Sequence, residues 1–470
     1  MEVQYFIHAL SVIVGNDHLL HDKEEQYRYT VDHVSGKEGQ PMCVVRPGRT
    51  EEVSGILALC NEHGIGVSVR GGGSGVSGGA LCAEGAVVLS LERLNRIVEI
   101  NAVDRYVVAE AGVVTQDLQD ALLEHDLWFP QNISSASMSF IGGNVAVSSG
   151  SPKSMKYGST KQYVLNLQVV LADGTVIWTG KNVTKNASGY NLTQLFTGSE
   201  GTLGIITRVV LQVVPPQKEI LVLIPFSSMD RLFEVVKDFF AAGFRPSALE
   251  FLDANATKLS LSFLNQPERY GSDVQGLLWM EFEAATESAL MDHMAVLEEF
   301  LQKHQINQSW VAQSKKDIEA LWECRKRVGE AAVNKGHFNE LDLVVPRSKA
   351  STMYKEVQEV CSNLRIDFIV VGHVGDGNFH VILFGRDSDA PDAWRRILAE
   401  CSNRLFETAM ALGGTLSGEH GIGHYNRSYF ERMEASANLE LMKKIKRTFD
   451  PNNILNTNAV LNEQKTKLIT

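Results

Sequence analysis

The stretch Arg70-Gly-Gly-Gly-Ser-Gly-Val-Ser-Gly-Gly79 follows the β-rich run at residues 66–70 and precedes a second one at residues 86–91. Glycine leaves backbone N–H groups uncovered, so such a loop can bind a diphosphate. The loop contains a literal G-x-G-x-x-G, the fingerprint of Rossmann enzymes. A Rossmann loop must open a crossover helix of about a dozen residues, whereas only the short, glycine-ended residues 79–85 precede the next strand. The stretch therefore predicts a diphosphate loop outside the Rossmann class, with a structural glycine turn as the alternative.

Short β-rich runs alternate with helical patterns on both sides of this loop. Pro215 and Pro216 end that region, and longer helices then alternate with strands. The fold class we predict is α+β, with a first domain of two α/β units at residues 1–215 and a second, α+β domain at residues 216–416. Periodicity alone does not assign the last segment, residues 417–470, to either domain.

Composition limits the classes of protein to consider. A chain of 470 residues exceeds what one hydrophobic core usually serves, so two domains are expected. The net charge of −12 argues against nucleic acid as a partner, because phosphate binding needs clustered Lys and Arg. The six cysteines show no CxxC spacing, which argues against an iron–sulfur or zinc-ribbon module.

Hydropathy gives no sign of a membrane span or of a secretory signal. No apolar run approaches the ~18 residues that cross a bilayer. Residues 5–15 are apolar, but Glu2 and His8 stand where a signal peptide would be basic, so we predict an amphipathic helix there. We expect no transmembrane segment and a cytoplasmic protein.

Two histidines flank a turn motif in FIVVGHVGDGNFHVILF, residues 368–384. The motif predicts a β-hairpin that brings His373 and His380 toward one point. Further on, SGEHGIG supplies Glu419 and His420 between glycines. Two imidazoles and a carboxylate can bind a divalent metal. Either histidine alone would more often be a core residue, so the prediction of a metal site depends on the combination.

Several longer segments resemble one flavoprotein family in content and order. They are the glycine loop, PQNISSASMSFIGGNVAVSSG (130–150), KNASGYNLTQLFTGSEGTLGIIT (185–207) and FDPNNILN (449–456). Nearly the whole chain resembles the FAD-linked 2-hydroxy-acid dehydrogenase branch of the vanillyl-alcohol-oxidase and p-cresol-methylhydroxylase (PCMH) superfamily. That branch contains D-lactate dehydrogenases, the glycolate oxidase catalytic subunit and D-2-hydroxyglutarate dehydrogenases. The resemblance implies a PCMH-type FAD-binding domain of two α/β subdomains, a cap domain with an antiparallel sheet, and a C-terminal segment at residues 417–470 that completes the active site.

The resemblance implies a set of FAD-binding residues. They are Arg70, Gly71, Gly72, Gly73, Ser74 and Gly75 around the diphosphate, and Gly142, Gly143, Asn144, Gly150 and Ile206 along the rest of the cofactor. Relatives often attach the flavin covalently through a His or Cys in the glycine loop. Ser74 holds that position here, so noncovalent FAD is expected. The alternatives are that Gly142 and Gly143 only permit a tight turn and that Ile206 is a core residue.

The same branch implies metal-binding and catalytic residues. His373, His380 and Glu419 would bind the metal, for which we expect zinc, with manganese and iron also suited. His420 would be the catalytic base. Leu321-Trp-Glu-Cys-Arg325 resembles the W-x-x-R whose Arg binds the substrate carboxylate. The alternative for Arg325 is a solvated helix face, and Arg347 is a second candidate.

These groups suit removal of a hydride from a carbon that carries a hydroxyl. A metal that chelates the hydroxyl and carboxylate of a 2-hydroxy acid lowers the pKa of the hydroxyl, a neutral imidazole takes its proton, and the flavin accepts the hydride. The resemblance therefore implies an FAD- and metal-dependent dehydrogenase of a D-2-hydroxy acid.

The chain departs from the branch at several positions. Asn426 replaces the usual lysine after GEHGIG, and residues 455–459 read LNTNA instead of an LNPGK-like ending. Relatives that act on D-2-hydroxyglutarate carry an Asn and a Lys where Ile382 and Glu340 stand here. Because Ile and Glu disfavour a second carboxylate, D-lactate or glycolate is the predicted substrate.

Other readings stay open at this point. They are a D-2-hydroxyglutarate dehydrogenase, a metal-independent FAD oxidase of alcohols, and a catalytically inactive flavoprotein subunit of a larger complex. No short motif identifies the electron acceptor, so a quinone, an electron-transfer flavoprotein and a cytochrome remain possible partners. A homodimer is the assembly we expect.

Overall fold

The computed structural model describes residues 3–31, 39–271, 273–385, 391–457 and 459–462, so Glu2 and Asn458 lie outside the described residues. The chain forms two compact units. Unit 1 contains residues 1–150, 159–216 and 419–470, and unit 2 contains residues 151–158 and 217–418. The expected α+β class is confirmed.

The helices of the described residues are α1 (Val3–Val14), α2 (Lys23–Thr30), α3 (Thr50–His63), α4 (Thr115–Leu123), α5 (Ile141–Val147), α6 (Ser154–Tyr157), α7 (Leu192–Phe196), α8 (Met229–Ala241), α9 (Ala254–Phe263), α10 (Glu287–Lys303), α11 (Lys315–Lys326), α12 (Val328–Lys335), α13 (Ala350–Leu364), α14 (Pro391–Ala411), α15 (Arg427–Met433) and α16 (Ser436–Phe449).

The strands are β1 (Leu19–Leu20), β2 (Cys43–Val45), β3 (Val67–Arg70), β4 (Val87–Ser90), β5 (Ile97–Asn101), β6 (Tyr106–Glu110), β7 (Val164–Val170), β8 (Val176–Trp178), β9 (Ile205–Gln212), β10 (Lys218–Phe226), β11 (Ala248–Asp253), β12 (Gly276–Ala284), β13 (Trp310–Ala312), β14 (Phe338–Val344), β15 (Asp367–Gly372) and β16 (Asn378–Phe384).

The first sheet of unit 1 has the order β1-β2-β4-β3, with β2, β4 and β3 parallel. Helix α3 connects β2 to β3, as parallel strands require a long connection. The connection from β3 to β4 is the glycine loop, and residues 71–86 contain no helix. The prediction that this loop lies outside the Rossmann class is therefore confirmed.

The second sheet of unit 1 is antiparallel, with the order β5-β6-β9-β7-β8. A single apolar core joins both sheets, because side chains from α3, α4 and α5 pack with those of the strands. At the start of the chain, α1 buries Phe6, Leu10 and Val14 at intervals of four residues and exposes its other face. The predicted amphipathic helix is confirmed.

The end of the chain returns to unit 1 and covers the free edge of β3. The Val67 amide donates to the Ile454 carbonyl at 2.7 Å, and the Asn456 amide donates to the Val67 carbonyl at 2.9 Å. The Asn456 side chain accepts a hydrogen bond from the Val69 amide at 3.0 Å and donates one to the Glu200 carbonyl at 2.7 Å. Backbone groups at a strand edge need partners, and the terminal segment supplies them here.

Unit 2 is built on an antiparallel seven-stranded sheet with the order β13-β10-β12-β11-β15-β16-β14. Leucine and tryptophan side chains on one face pack against Trp322 of α11 and Val328 of α12. Helices α8, α9, α10 and α11 each begin after a Ser, Asp or Thr whose side chain accepts a backbone N–H of the first turn. Such caps satisfy amides that have no partner within the helix.

Among the described residues, no helix has both the length and the apolar content needed to cross a bilayer.

Candidate active site

The conformation of the glycine loop in unit 1 is stabilised by hydrogen bonds of the Arg70 side chain. The buried Arg70 side chain donates from Nη1 to the carbonyls of Val31 at 3.0 Å and Ala80 at 3.1 Å. A Cβ at Gly72 would lie 2.0 Å from the Met138 carbonyl oxygen, so only glycine fits there. Gly73 has a φ of +74°, which also favours glycine. These residues shape the loop, and the Arg70 guanidinium is engaged at least in part within it.

Other glycines leave open backbone. A Cβ at Gly75 or at Gly143 would meet no atom within 4 Å. The two segments lie together, because a Cβ at Gly71 would be 3.9 Å from the Gly143 Cα. Open glycine backbone beside the N-terminal turn of α5 can approach a diphosphate closely. The residues of unit 1 therefore fit a diphosphate-binding site with open glycine backbone at Gly75 and Gly143.

The remaining FAD candidates have different surroundings. Gly142 faces inward, since a Cβ there would lie 2.8 Å from the Ala111 carbonyl oxygen. The buried Asn144 side chain donates to Thr115 Oγ1 at 2.6 Å. Ile206 belongs to the apolar core of unit 1. Ser74 is partly exposed, and Gly150 is the last residue of its stretch of unit 1.

The histidine hairpin forms as the sequence predicts. Strands β15 and β16 pair antiparallel, and the Asn378 amide donates to the His373 carbonyl at 3.1 Å to close the turn. The two imidazole rings are buried, with centroids 5.2 Å apart and planes at 89°. A ring nitrogen of His373 lies within 4.8 Å of a ring nitrogen of His380. The hairpin thus brings two potential metal ligands together within unit 2.

Glu250 on β11 connects this hairpin to α11. The fully buried Glu250 places Oε1 2.5 Å from His373 Nδ1. Its Oε2 accepts from Arg325 Nε at 3.0 Å and from Arg325 Nη2 at 2.8 Å. The Arg325 side chain is therefore tied to His373 through one carboxylate and does not lie on a solvated helix face.

A second pair of carboxylates lies beside His380. Its Nδ1 is 3.1 Å from Glu340 Oε1 and 3.9 Å from Asp342 Oδ1. Asp342 also accepts hydrogen bonds from Asn378 Nδ2, Ser417 Oγ and the Gly418 amide, each at 2.8 Å. Glu419 follows Gly418 directly in the chain, so Asp342 fixes the peptide that precedes the predicted third ligand.

These groups belong to a row of ionisable side chains on one face of the unit 2 sheet, which we call the charged band. Residues directly opposite in a ladder, or two apart along a strand, share a face. The strand registers therefore place on one face Glu219, Glu250, Glu281, Glu283, Glu340, Asp342, His373 and His380.

A buried lysine, Lys153, lies against the charged band. Lys153 Nζ contacts Glu281 and Glu283 and lies 2.8 Å from Glu219 Oε1. Burial alone would lower the pKa of Lys153, but the three carboxylates outweigh burial and raise it. Burial raises the pKa of Glu281, although Lys153 opposes that change. Lys153 thus stays charged among carboxylates that would otherwise repel one another.

The loop that carries Glu419 and His420 is held by Glu200 within unit 1. Glu200 accepts from the amides of Ile422 at 2.8 Å and Gly423 at 2.9 Å. Burial raises the pKa of Glu200 to about 6, although these hydrogen bonds favour the ionised form. The amides of His424 and Tyr425 both donate to the Ser77 carbonyl. The His420 loop and the glycine loop are therefore in contact.

Arg347 differs from Arg325. It is exposed, and its guanidinium lies 4.2 Å from the ring centroid of Phe240. The described contacts connect only Arg325 to the histidine hairpin.

Sequence reasoning did not identify Glu250, Asp342, Glu200 or Lys153. A signal was present for Glu250, because it stands between Ala248 and Leu252 on the same face of a buried strand. Burying a carboxylate is unfavourable unless it is paired. An acidic residue in the apolar register of a strand therefore indicates a partner elsewhere in the fold.

Two family models and several known proteins match the chain. A model described as "FAD binding domain" matches residues 41–180, and one described as "FAD linked oxidases, C-terminal domain" matches residues 215–460. The glycolate oxidase subunit GlcD of Bacillus subtilis is 34% identical over 91% of this chain and 90% of its own. The D-lactate dehydrogenase of Archaeoglobus fulgidus is 35% identical over 93% and 96%.

A third relative and a solved structure extend the comparison. The D-2-hydroxyglutarate dehydrogenase of Stutzerimonas stutzeri is 30% identical over 97% of this chain and 98% of its own. The crystal structure of p-cresol methylhydroxylase with substrate bound superposes with a TM-score of 0.79 at 17% identity, covering 97% of this chain and 96% of that one. The structural likeness shows the fold alone.

Proposed function

The chain belongs to the family of FAD-linked oxidases, and on that premise we propose that it oxidises a D-2-hydroxy acid to the 2-oxo acid. Its relatives confirm the resemblance and the enzyme class predicted from the sequence, an FAD-dependent oxidoreductase of the D-lactate, glycolate and D-2-hydroxyglutarate dehydrogenase group. Within that group we favour D-lactate or glycolate as the substrate.

The FAD site in this proposal is the open glycine backbone of unit 1. Gly71, Gly75 and Gly143 would lie against the cofactor, while Arg70 and Gly72 keep the loop in shape. When bound, FAD supplies a two-electron acceptor. No residue of the loop offers a nucleophile of the usual covalent type, since Ser74 stands at that place. The FAD should therefore be removable by denaturation.

The observation that carries the proposal is that both hairpin histidines are buried with a carboxylate beside Nδ1, and that His373 is hydrogen-bonded to its carboxylate. Glu250 lies at 2.5 Å from His373 Nδ1, and Glu340 lies at 3.1 Å from His380 Nδ1. A carboxylate at Nδ1 favours the tautomer whose Nε2 lone pair can bind a metal. We propose His373, His380 and Glu419 as ligands of a divalent cation, zinc, manganese or iron, which when bound supplies a Lewis acid.

The roles of the remaining residues follow from their chemistry. We propose that a ring nitrogen of His420 accepts the proton of the substrate hydroxyl, because imidazole titrates near neutral pH. Arg325 would bind the substrate carboxylate, since a guanidinium holds two oxygens in one plane. The loop contacts from Glu200 to Ile422 and Gly423 support a fixed position for His420.

A monocarboxylate is favoured by the surroundings of two side chains. Ile382 is buried in the apolar core of unit 2, and Glu340 lies directly opposite it in the ladder of β14 and β16. A second carboxylate near them would meet an apolar side chain and a like charge. Both effects weaken binding of a dicarboxylate such as D-2-hydroxyglutarate.

The test is flavin reduction without oxygen. The purified yellow protein is mixed with D-lactate, L-lactate, glycolate, D-2-hydroxyglutarate or D-malate, and the flavin absorbance is followed with and without a chelator. We expect D-lactate or glycolate to bleach the flavin, the chelator to block bleaching, and zinc or manganese to restore it while FAD stays bound throughout. His420→Ala should slow bleaching roughly 10²–10⁴-fold, and the exposed control His125→Ala should not.

Each other outcome points to a different function. An equal rate of flavin bleaching with and without the chelator would indicate a metal-independent alcohol oxidase. Bound FAD that no 2-hydroxy acid reduces would indicate an inactive flavoprotein subunit. Faster bleaching by D-2-hydroxyglutarate than by D-lactate and glycolate would show that the monocarboxylate assignment is wrong.

A further inference from the structure

We propose that Glu250 is a positioning residue whose two carboxylate oxygens separately orient a metal-ligand imidazole, that of His373, and a substrate-binding guanidinium, that of Arg325. The inference rests on the function proposed above and assigns a role to a residue that touches neither substrate nor metal in that scheme. One buried side chain would thereby control both metal affinity and substrate affinity.

The position of Glu250 is fixed by the sheet. Glu250 lies opposite Trp279 in the ladder of β11 and β12, and the next residue, Phe251, lies opposite Gly372 at the end of β15. Gly372 is the residue before His373. Two ladders therefore set the distance between the backbones that carry Glu250 and His373, which leaves the carboxylate little freedom to turn away.

The position of Arg325 is fixed by α11. Trp322 Nε1 on this helix donates to Glu281 Oε2 at 3.2 Å, and Trp279 Nε1 of β12 donates to the Leu321 carbonyl at 2.9 Å. The helix is thus fixed to the sheet one turn before Arg325. From there the guanidinium reaches Glu250 with two of its nitrogens.

The two carboxylate oxygens of Glu250 contact different side chains. Oε1 faces His373 Nδ1, so the imidazole is held as the tautomer with a proton on Nδ1. Oε2 receives both contacts from Arg325. A guanidinium has five N–H groups, so the Nε–H and one Nη2–H are used and three others can bind a ligand carboxylate. The plane of the guanidinium is set before the ligand arrives, which reduces the entropy lost on binding.

The charge of Glu250 is needed as well as its shape. Its side chain is fully buried, and the positively charged Arg325 contacts its carboxylate. An amide of the same shape would present an N–H group to one of the two neighbours, which are both hydrogen-bond donors. Glu250→Gln should therefore misorient Arg325, His373 or both, while changing the volume of the core very little.

Glu219 provides a control on the same face of the sheet. Its Oε1 lies 2.8 Å from Lys153 Nζ, and its side chain is 37% exposed. Glu219→Gln should leave both metal and substrate binding unchanged. Glu250→Gln should weaken both metal and substrate binding. The two variants therefore separate the role of Glu250 from the loss of any carboxylate on this face.

The experiment uses the FAD-loaded protein. The dissociation constant for Zn²⁺ is measured by chelator competition, and KM for D-lactate and for glycolate is measured at saturating Zn²⁺. For Glu250→Gln we expect the Zn²⁺ dissociation constant to rise about 10–100-fold, the usual effect of losing such a partner, and KM to rise about tenfold or more. For Glu219→Gln we expect both the Zn²⁺ dissociation constant and KM to stay unchanged.

A second variant changes Arg325, the other partner in the contact with Glu250. Arg325→Lys keeps the charge but cannot hold Glu250 with two nitrogens. It should raise KM and also change the Zn²⁺ dissociation constant severalfold, although Arg325 is not a ligand. This variant decides the question if Glu250→Gln does not fold.

The outcomes distinguish this inference from the proposed function. A folded Glu250→Gln protein with unchanged Zn²⁺ affinity and KM would overturn the inference alone, provided that the unmodified protein binds Zn²⁺ and is reduced by a 2-hydroxy acid. A raised KM with unchanged Zn²⁺ affinity in Arg325→Lys would overturn the link between the two sites. If the unmodified protein binds no metal, the proposed function fails and the inference fails with it.

Discussion

Gly75 and Gly72 lie in the same loop but tolerate a side chain differently. A Cβ at Gly72 would collide with the Met138 carbonyl oxygen, so Gly72→Ala must disturb the protein itself. A Cβ at Gly75 would meet no protein atom within 4 Å, and its φ is not positive. A methyl group at Gly75 can therefore interfere only with something that the loop binds.

We predict that Gly75→Ala weakens FAD binding without destabilising the apoprotein. A new methyl group against the diphosphate should cost about 1–3 kcal/mol, which corresponds to a roughly 5- to 150-fold higher dissociation constant for FAD. The free energy of unfolding of the apoprotein should change by less than about 0.5 kcal/mol. Flavin fluorescence titration and urea unfolding measure the two quantities.

Gly329→Ala is the control for this prediction. Gly329 also has open space around its Cα and lies in α12 of unit 2. It should leave FAD binding unchanged. If Gly75→Ala binds FAD as tightly as the unmodified protein, the diphosphate does not lie along this part of the loop.

The difference between a glycine that shapes the loop and one that faces a ligand was not predictable from the sequence. Arg70 and Asn144 show the same limit, because the resemblance places them beside the cofactor while their side chains make hydrogen bonds inside unit 1. Which way a side chain points depends on partners such as Val31 and Thr115, which are distant in the chain. A local motif carries no information about them.

The short segment at residues 151–158 is attached to the sheet of unit 2 by charge. Lys153 lies just before α6 and is surrounded by Glu219, Glu281 and Glu283. Lys156 and Tyr157 add contacts to Glu283 Oε2 at 2.9 Å and 2.6 Å. Removing one member of a buried ion network leaves charge without compensation.

We predict that Lys153→Met destabilises unit 2 by about 3–5 kcal/mol, measured by urea unfolding at neutral pH. The loss should shrink as the pH falls, because protonation removes the repulsion among the carboxylates. Lys156→Met is the control, and it should cost less than about 1 kcal/mol because its side chain is 32% exposed. If both variants lose the same free energy of unfolding, the burial of Lys153 does not make its ion pairs more stabilising than those of Lys156.

Asp253 connects two elements of unit 2. It caps α9 by accepting from the Ala256 amide at 2.7 Å, and it accepts from the Val370 amide of β15 at 3.0 Å. Burial raises the pKa of Asp253 from 3.8 to about 7, although the hydrogen bonds oppose this rise. The folded state then holds this proton more tightly than the unfolded state does. The resulting stability is fully present below pH 3.8 and is lost as the pH rises through about 7.

We therefore predict that the contribution of Asp253 to the free energy of unfolding falls by a few kcal/mol between about pH 4 and pH 7. Asp253→Asn should remove that part of the pH dependence in a series of urea unfolding curves. The exposed control Asp292→Asn should keep it. Parallel curves for Asp253→Asn and the unmodified protein would show that the pKa is not raised.

Among the helices and strands, those whose structure follows from the spacing of apolar residues were predicted correctly from the sequence. The hairpin of β15 and β16 and the amphipathic α1 formed as expected, because each depends on the alternation of apolar residues along a short stretch. The charged band was not predicted. It depends on the order of strands in the sheet, which places Glu250 between β12 and β15, and strand order is not visible in local periodicity.

At the scale of the whole molecule the length of the chain predicted two domains, and the structure forms two compact units. The two units are not continuous in the chain. Residues 151–158 belong to unit 2 although the stretches on both sides belong to unit 1, and unit 1 resumes at Glu419. Apolar patterning describes each stretch correctly but does not say which stretches share a core.

Val67 is hydrogen-bonded to Ile454 and Asn456, which a ribosome makes almost 390 residues later. The two units can therefore be completed at different times during synthesis. A ribosome releases residues 151–418 before Ile454 and Asn456, so unit 2 can form while the edge of β3 still lacks its last partners. Unit 1 is complete only when residues 454–456 have emerged. Maturation of a nascent chain would therefore end with the flavin unit, and premature termination before residue 454 would leave β3 as an open edge available for aggregation.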